Sequence, residues 1–230
     1  MEETKDNRTR IIEAFSSEGC PLCAMLRRDE FDSLCQWVGL SEERAKDSAQ
    51  RKQLLTADGF CNYHFWRFQQ MSTHYGSAGI AIQLIEKLLG ILRTHKQKCF
   101  ADVIRYKGGH SKIQLNDNNA ECPLCCELCE KERVYLKELL AILKQNEYRS
   151  RYEKSCGLCI PHLMKVIDYI EDVLLLKYLF ETEIDQLEKV KTDAASFVSK
   201  RYPPLRWEQT DNEKSSWFRA IEKIIGRSGA

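Results

Sequence analysis

At 230 residues the chain can form one large domain or two small ones, and either buries an adequate core without help from a metal. Thirty-five basic residues nearly match 34 acidic ones, so a formal charge of +1 supplies no field to draw in nucleic acid or a membrane surface. The odd count of eleven cysteines does not suit a fully paired disulfide scaffold, and the charged opening MEETKDNRTR predicts no secretion signal; together they predict a cytoplasmic protein whose thiols stay free for metal.

In chain order, helical spacing runs from Pro21 to about Val38, with Leu22, Met25, Leu26, Leu34 and Val38 along one side. Ser41 is placed to cap a second helix that extends to about Leu55. His64 to Tyr75 continues as helix, and Gly76 is expected to break it. Ala78 to about Tyr106 predicts an amphipathic helix with Ile82, Ile85, Leu89 and Leu92 in register. Lys107-Gly108-Gly109-His110 and Asn116-Asp117-Asn118-Asn119 form the one clear linker. Beyond it, Pro123 to about Tyr152 reads as helix through Leu136, Leu139, Leu140 and Leu143. A long helix from about Pro161 to Lys200 follows, carrying Val166, Ile170, Val173, Tyr178, Leu187 and Val190, until Pro203-Pro204 stop it. Ser216 to Gly226 gives a last short helix, striped by Trp217, Ile221, Ile224 and Ile225. The stretch from Phe68 to Ile85 lacks formal charge but holds Gln69, Gln70, Ser72, Thr73 and His74, too polar to span a bilayer.

One cysteine pattern occurs twice. Cys20-Pro21-Leu22-Cys23 is followed by Gly59-Phe60-Cys61-Asn62-Tyr63-His64, and Cys122-Pro123-Leu124-Cys125 by Gly157-Leu158-Cys159-Ile160-Pro161-His162. The intervals between the paired elements, 37 and 33 residues, differ by about one helical turn. Each half thus offers three thiolates and one imidazole, the ligand set of a closed four-coordinate ion. Proline after the first cysteine suits a helix start, which places Cys20 and Cys122 as caps and Cys23 and Cys125 in the first turn. Cys61 with His64 and Cys159 with His162 read the same way, with Gly59 and Gly157 allowing the sharp approach. Helix N-termini converging on each site favour thiolate.

The predicted fold is therefore an all-α helical bundle of two duplicated units, each pinned by a Cys3His site. The first metal-binding repeat covers 1–110, the second 111–202, and an amphipathic helical tail 203–230. A crossed pairing stays open, with the CPLC element of one half sharing an ion with the Cys-x-x-His of the other. Cys156 also competes with His162 for the fourth position. Cys35 and Cys99 have no partner motif and read as core filler, while Cys126 and Cys129 sit just after the second pair, with Cys129 one helical turn from Cys125 or Cys126. Glu130-Lys131-Glu132-Arg133 reads as a solvated helix face.

The two CPLC and Gly-x-Cys-x-x-His elements, with the tail from Trp217 to Gly226, resemble an uncharacterised prokaryotic family, DUF6062. That resemblance implies cysteine-rich metal binding and no particular activity. Two structural zinc ions in a non-enzymatic interaction or scaffold module, with a protein partner, are the expected function. Iron–sulfur clusters for electron transfer or redox sensing are the alternative. No phosphate-binding loop, His-Glu-x-x-His or Gly-x-Ser-x-Gly motif is present.

Overall fold

The computed structural model describes residues 6–40, 49–57, 59–105 and 122–226, and among these it forms ten α-helices and no strand. They are α1 (Asn7–Ala14), α2 (Pro21–Leu40), α3 (Ala49–Thr56), α4 (Asn62–Met71), α5 (His74–Arg105), α6 (Pro123–Leu143), α7 (Asn146–Glu153), α8 (Ile160–Ile167), α9 (Val173–Ser199) and α10 (Asp211–Ile225). The all-α expectation holds. The Ser41 cap, His110 and the linker at 107–119 lie outside the described residues, as does the side chain of Cys99.

Three helices stop where the sequence pattern runs on, each for a local reason. α4 ends at Met71, because Ser72 turns extended (ψ 157°) and the Thr73 hydroxyl accepts the Gly76 N–H at 3.0 Å. Gly76 therefore sits inside α5 and breaks nothing. α6 ends at Leu143, whose carbonyl accepts from Arg149 Nε at 2.9 Å, and Gln145 adopts extended backbone before α7. The predicted helix from 161 to 200 is two helices. Asp172 caps α9 by accepting the Leu174 and Leu175 N–H groups. This restart rotates the buried stripe of α9 onto Leu175, Leu179, Thr182, Glu183 and Gln186, leaving Val173 exposed.

The chain divides into two units: residues 1–29 with 129–230, and residues 30–128. The division falls within α2 and α6, not between the two motif copies, because each of these helices supplies buried residues to both units. In the discontinuous unit Ile11, Leu22, Leu139, Tyr152, Val166 and Leu179 are fully buried, and Phe15 meets Tyr152 edge to face at 5.4 Å. Each such aliphatic side chain contributes about 2 kcal/mol by leaving water. In the continuous unit Phe60 packs against Trp37 (5.3 Å) and Phe68 (5.6 Å), with Leu34, Leu54, Ile80 and Leu124 completing the cluster. Ile82, Ile85 and Leu89 of α5, expected to face a core, are exposed, and Ile80 and Leu84 pack in their place.

The C-terminal helix begins at Asp211, five residues before the sequence pattern suggests. Thr210 and Glu213 form a reciprocal capping box, and Gly226 (φ +80°) closes the other end. α10 lies along α9 and touches α8. Its buried face is polar (Glu213, Ser216, Glu222, Lys223), while the apolar stripe of Trp217, Ile221, Ile224 and Ile225 is exposed. Among the described residues no helix is long and apolar enough to cross a membrane.

Candidate metal centres

The eight motif side chains meet in two groups of four, and the pairing is the crossed one. Cys20 and Cys23 join Cys159 and His162; Cys61 and His64 join Cys122 and Cys125. Pairing within each half, the simpler reading of the repeat, is thereby corrected. Each group lies within one structural unit, because α2 begins in the discontinuous unit and α6 begins in the continuous one. Within each group the ligand atoms all stand within 4.8 Å of one another.

Local backbone explains how each ligand is aimed. Cys61 caps α4 (φ −63°, ψ 167°) and Cys159 caps α8 (φ −71°, ψ 158°), so each histidine follows on the first turn. The carbonyls of Cys20 and Cys122 accept the first intrahelical bonds of α2 and α6 at 3.0 Å. Two helix N-termini thus face each group, α2 with α8 and α4 with α6, and their partial positive charge favours bound thiolate. The turn before Cys159 needs Gly157, since its φ of +65° is left-handed and a β-carbon would stand 2.8 Å from both Glu183 carboxylate oxygens.

In the first group His162 turns Nδ1 toward three sulfurs, at 3.1 Å from Cys159 and 3.4 Å from Cys20 and Cys23; Cys23 and Cys159 sulfurs are 3.7 Å apart. In the second, His64 Nδ1 is 3.3 Å from Cys61 and Cys125 and 3.5 Å from Cys122, with 3.8 Å between the Cys61 and Cys125 sulfurs. Ordinary zinc bond lengths give tetrahedral edges of about 3.8 Å between sulfurs and about 3.6 Å from sulfur to nitrogen. Both groups have close to those dimensions.

Each imidazole presents its other nitrogen to a glutamate. His162 Nε2 is 3.0 Å from Glu132, which also receives Lys165 Nζ at 2.6 Å. His64 Nε2 is 3.7 Å from buried Glu30, which Arg67 Nε approaches equally closely. At hydrogen-bond distance, Glu132 fixes the tautomer of His162 and strengthens it as a donor, whereas Glu30 stands beyond that distance from His64. Glu132 is therefore no part of a solvated face. The signal for both glutamates was present in the sequence, since each follows the first cysteine of a CPLC element by ten residues.

The surroundings tune the two histidines oppositely. Burial opposes a charge on His162, but its hydrogen bonds to Cys159, Cys20, Cys23 and Glu132 outweigh burial and raise its pKa. At His64 burial dominates, with Glu30 opposing it and Arg67 adding to it, and the pKa falls. Desolvation, the charge of Cys122 and hydrogen bonding to Cys61 push the Cys125 thiol up to about 12. Gathering several thiolates in one place thus calls for a cation to neutralise them.

Among the described residues the remaining cysteines stand outside both groups. Cys156 is half-buried, and His162 holds the fourth position it competed for. Cys35 is exposed, contrary to its expected place in the core; Cys129 is exposed and Cys126 half-buried.

The family model of DUF6062, a family of unknown function, matches residues 5–230. No curated protein and no solved structure matches the chain.

Proposed function

We propose, from the premise that this chain belongs to the DUF6062 family, that it is a two-ion zinc protein whose ions brace an α-helical interaction scaffold. The observation that carries this reading is the size of the two ligand groups. Sulfur–sulfur separations of 3.7 and 3.8 Å suit four donors on one ion. The cysteines of a four-iron cluster each bind a different iron, which holds their sulfurs farther apart than one ion's tetrahedral edge. Three thiolates and an imidazole suit zinc among the common divalent ions, and four protein donors leave no position for a substrate. Cys20 and Cys23, Cys61 and His64, Cys122 and Cys125, and Cys159 and His162 would hold the two ions.

In this reading the ion neutralises thiolates and ties the start of α2 to the start of α8, or the start of α4 to the start of α6. Structural zinc contributes about 10–16 kcal/mol of apparent binding free energy in small domains, so metal affinity becomes folding stability. The repeated motifs are read as an internal duplication, and the exposed side chains of α10 as a face for a protein partner.

Elemental analysis and an absorption spectrum on anaerobically purified protein test the reading. Two equivalents of zinc and a colourless protein are expected. Iron with sulfide-type visible absorbance would replace it with the cluster reading, and an absence of any bound metal would refute both.

A further inference from the structure

The C-terminal helix reaches the first metal centre through two contacts. Lys223, 6% exposed, donates to Glu183 Oε2 at 2.7 Å and to the Cys156 carbonyl at 2.9 Å. The other oxygen of Glu183 accepts the Leu158 N–H at 2.8 Å and the Tyr152 hydroxyl. The turn from Cys156 to Cys159 is thus held at two backbone groups by one buried ion pair, immediately before the ligating sulfur. Gly226 makes the second contact. A β-carbon there would stand 3.5 Å from the Cys159 sulfur and 3.7 Å from that of Cys23, so the backbone closing α10 lies over two of the ligands. Beside these contacts a cavity of about 710 Å³ has Cys20 and Cys159 in one wall and Arg219, Glu222 and Lys223 of α10 in another.

We propose that α10 is a wall of this centre rather than an appended tail. Lys223 and Gly226 are positioning residues, and docking of α10 and retention of the ion support one another. This deepens the zinc reading and rests on it. The physical link is the turn. With Lys223 in place, Cys156 and Leu158 are fixed and Cys159 points at the ion; with the ion in place, the Cys23 and Cys159 sulfurs form the floor under Gly226. Coupling of this kind is reciprocal, so loosening either side loosens the other. An undocked α10 also removes one wall of the cavity and opens Cys20 and Cys159 to an incoming chelator.

The test uses the full chain in a Cys61→Ser background, which confines metal to this centre. Lys223→Met is expected to speed zinc release to a colorimetric chelator about tenfold or more, the range typical of groups that support metal ligands. It is also expected to shift the visible bands of the cobalt-substituted protein. Gly226→Val strains the positive-φ backbone that closes α10 over the sulfurs, and is expected to act in the same direction. In a Cys20→Ser background, which leaves only the other centre, Lys223→Met is expected to leave release unchanged. Unaltered release in both variants would overturn the proposal, and so would equal acceleration at the two centres, which marks general loosening. A Cys61→Ser parent that binds no ion would refute the zinc reading itself, and this inference with it.

Discussion

The two centres share their ligands and differ in what surrounds them. All four donors of the Cys20 group are buried, Glu132 meets its histidine at 3.0 Å, and α10 covers two sulfurs. In the Cys61 group Cys125 is exposed, Cys61 is half-exposed, and Glu30 stands back at 3.7 Å from its histidine. Identical motifs thus give one enclosed centre and one open one. Ligand type decides what can bind, whereas enclosure decides how readily it leaves, since an incoming chelator must reach the ion before a sulfur departs.

The largest expected difference is in metal release. A chelator should remove zinc in two phases, the Cys61 centre emptying at least about tenfold faster. Cys61→Ser should abolish the fast phase and Cys159→Ser the slow one, measured by stopped-flow absorbance. A single phase would show that enclosure does not control release. The supporting glutamates sharpen the comparison. Glu132→Gln is expected to weaken zinc at its centre by about 10–100-fold, and Glu30→Gln at the other by less than about tenfold, as measured by competition titration.

The glycines before Cys61 and Cys159 give a smaller contrast, in stability. Gly157→Ala forces a left-handed residue against the Glu183 carboxylate and Lys223 at 2.8–2.9 Å, and should cost about 3 kcal/mol in denaturant unfolding. Gly59 is also left-handed, at φ +96°, but its β-carbon would meet only the tip of Leu84 at 3.0 Å. Gly59→Ala should cost about 1–2 kcal/mol.

The smallest effect concerns acid. Hydrogen bonds from Ser196, Lys200 and the Thr210 backbone hold the Glu213 carboxyl down to about 2, below its usual 4.5. A depressed carboxyl adds stability that is present above the unfolded value and is lost as pH falls from 4.5 toward 2. Glu213→Gln should flatten that part of an acid titration followed by tryptophan fluorescence, and should lower stability at neutral pH, where the carboxylate's contribution is fully present.

Much of this was legible in the sequence because the relevant signals are local. Cys-Pro-Leu-Cys marks a helix start on its own, and Gly157 announces the turn before Cys159. All eight side chains that converge were identifiable from their spacing. Their partners were not, because nothing in Cys20 specifies whether Cys61 or Cys159 meets it; that depends on how helices pack. Helix breaks escape periodicity where one side chain's hydrogen bonds decide them, as at Asp172. Periodicity marks Ile221 and Ile225 as an apolar stripe of α10 but gives no sign of its polar docking face, which the Lys223–Glu183 pair holds. Glu30 and Glu132 follow the repeat offset and needed only comparison of the two halves.

Crossed pairing of the two motif copies is tested most directly by the zinc content of two double variants. Cys23→Ser with Cys159→Ser strikes one centre twice and should leave about one equivalent bound, while Cys23→Ser with Cys61→Ser strikes both and should leave none. The reverse pattern, with the first variant empty and the second retaining an ion, would contradict the account.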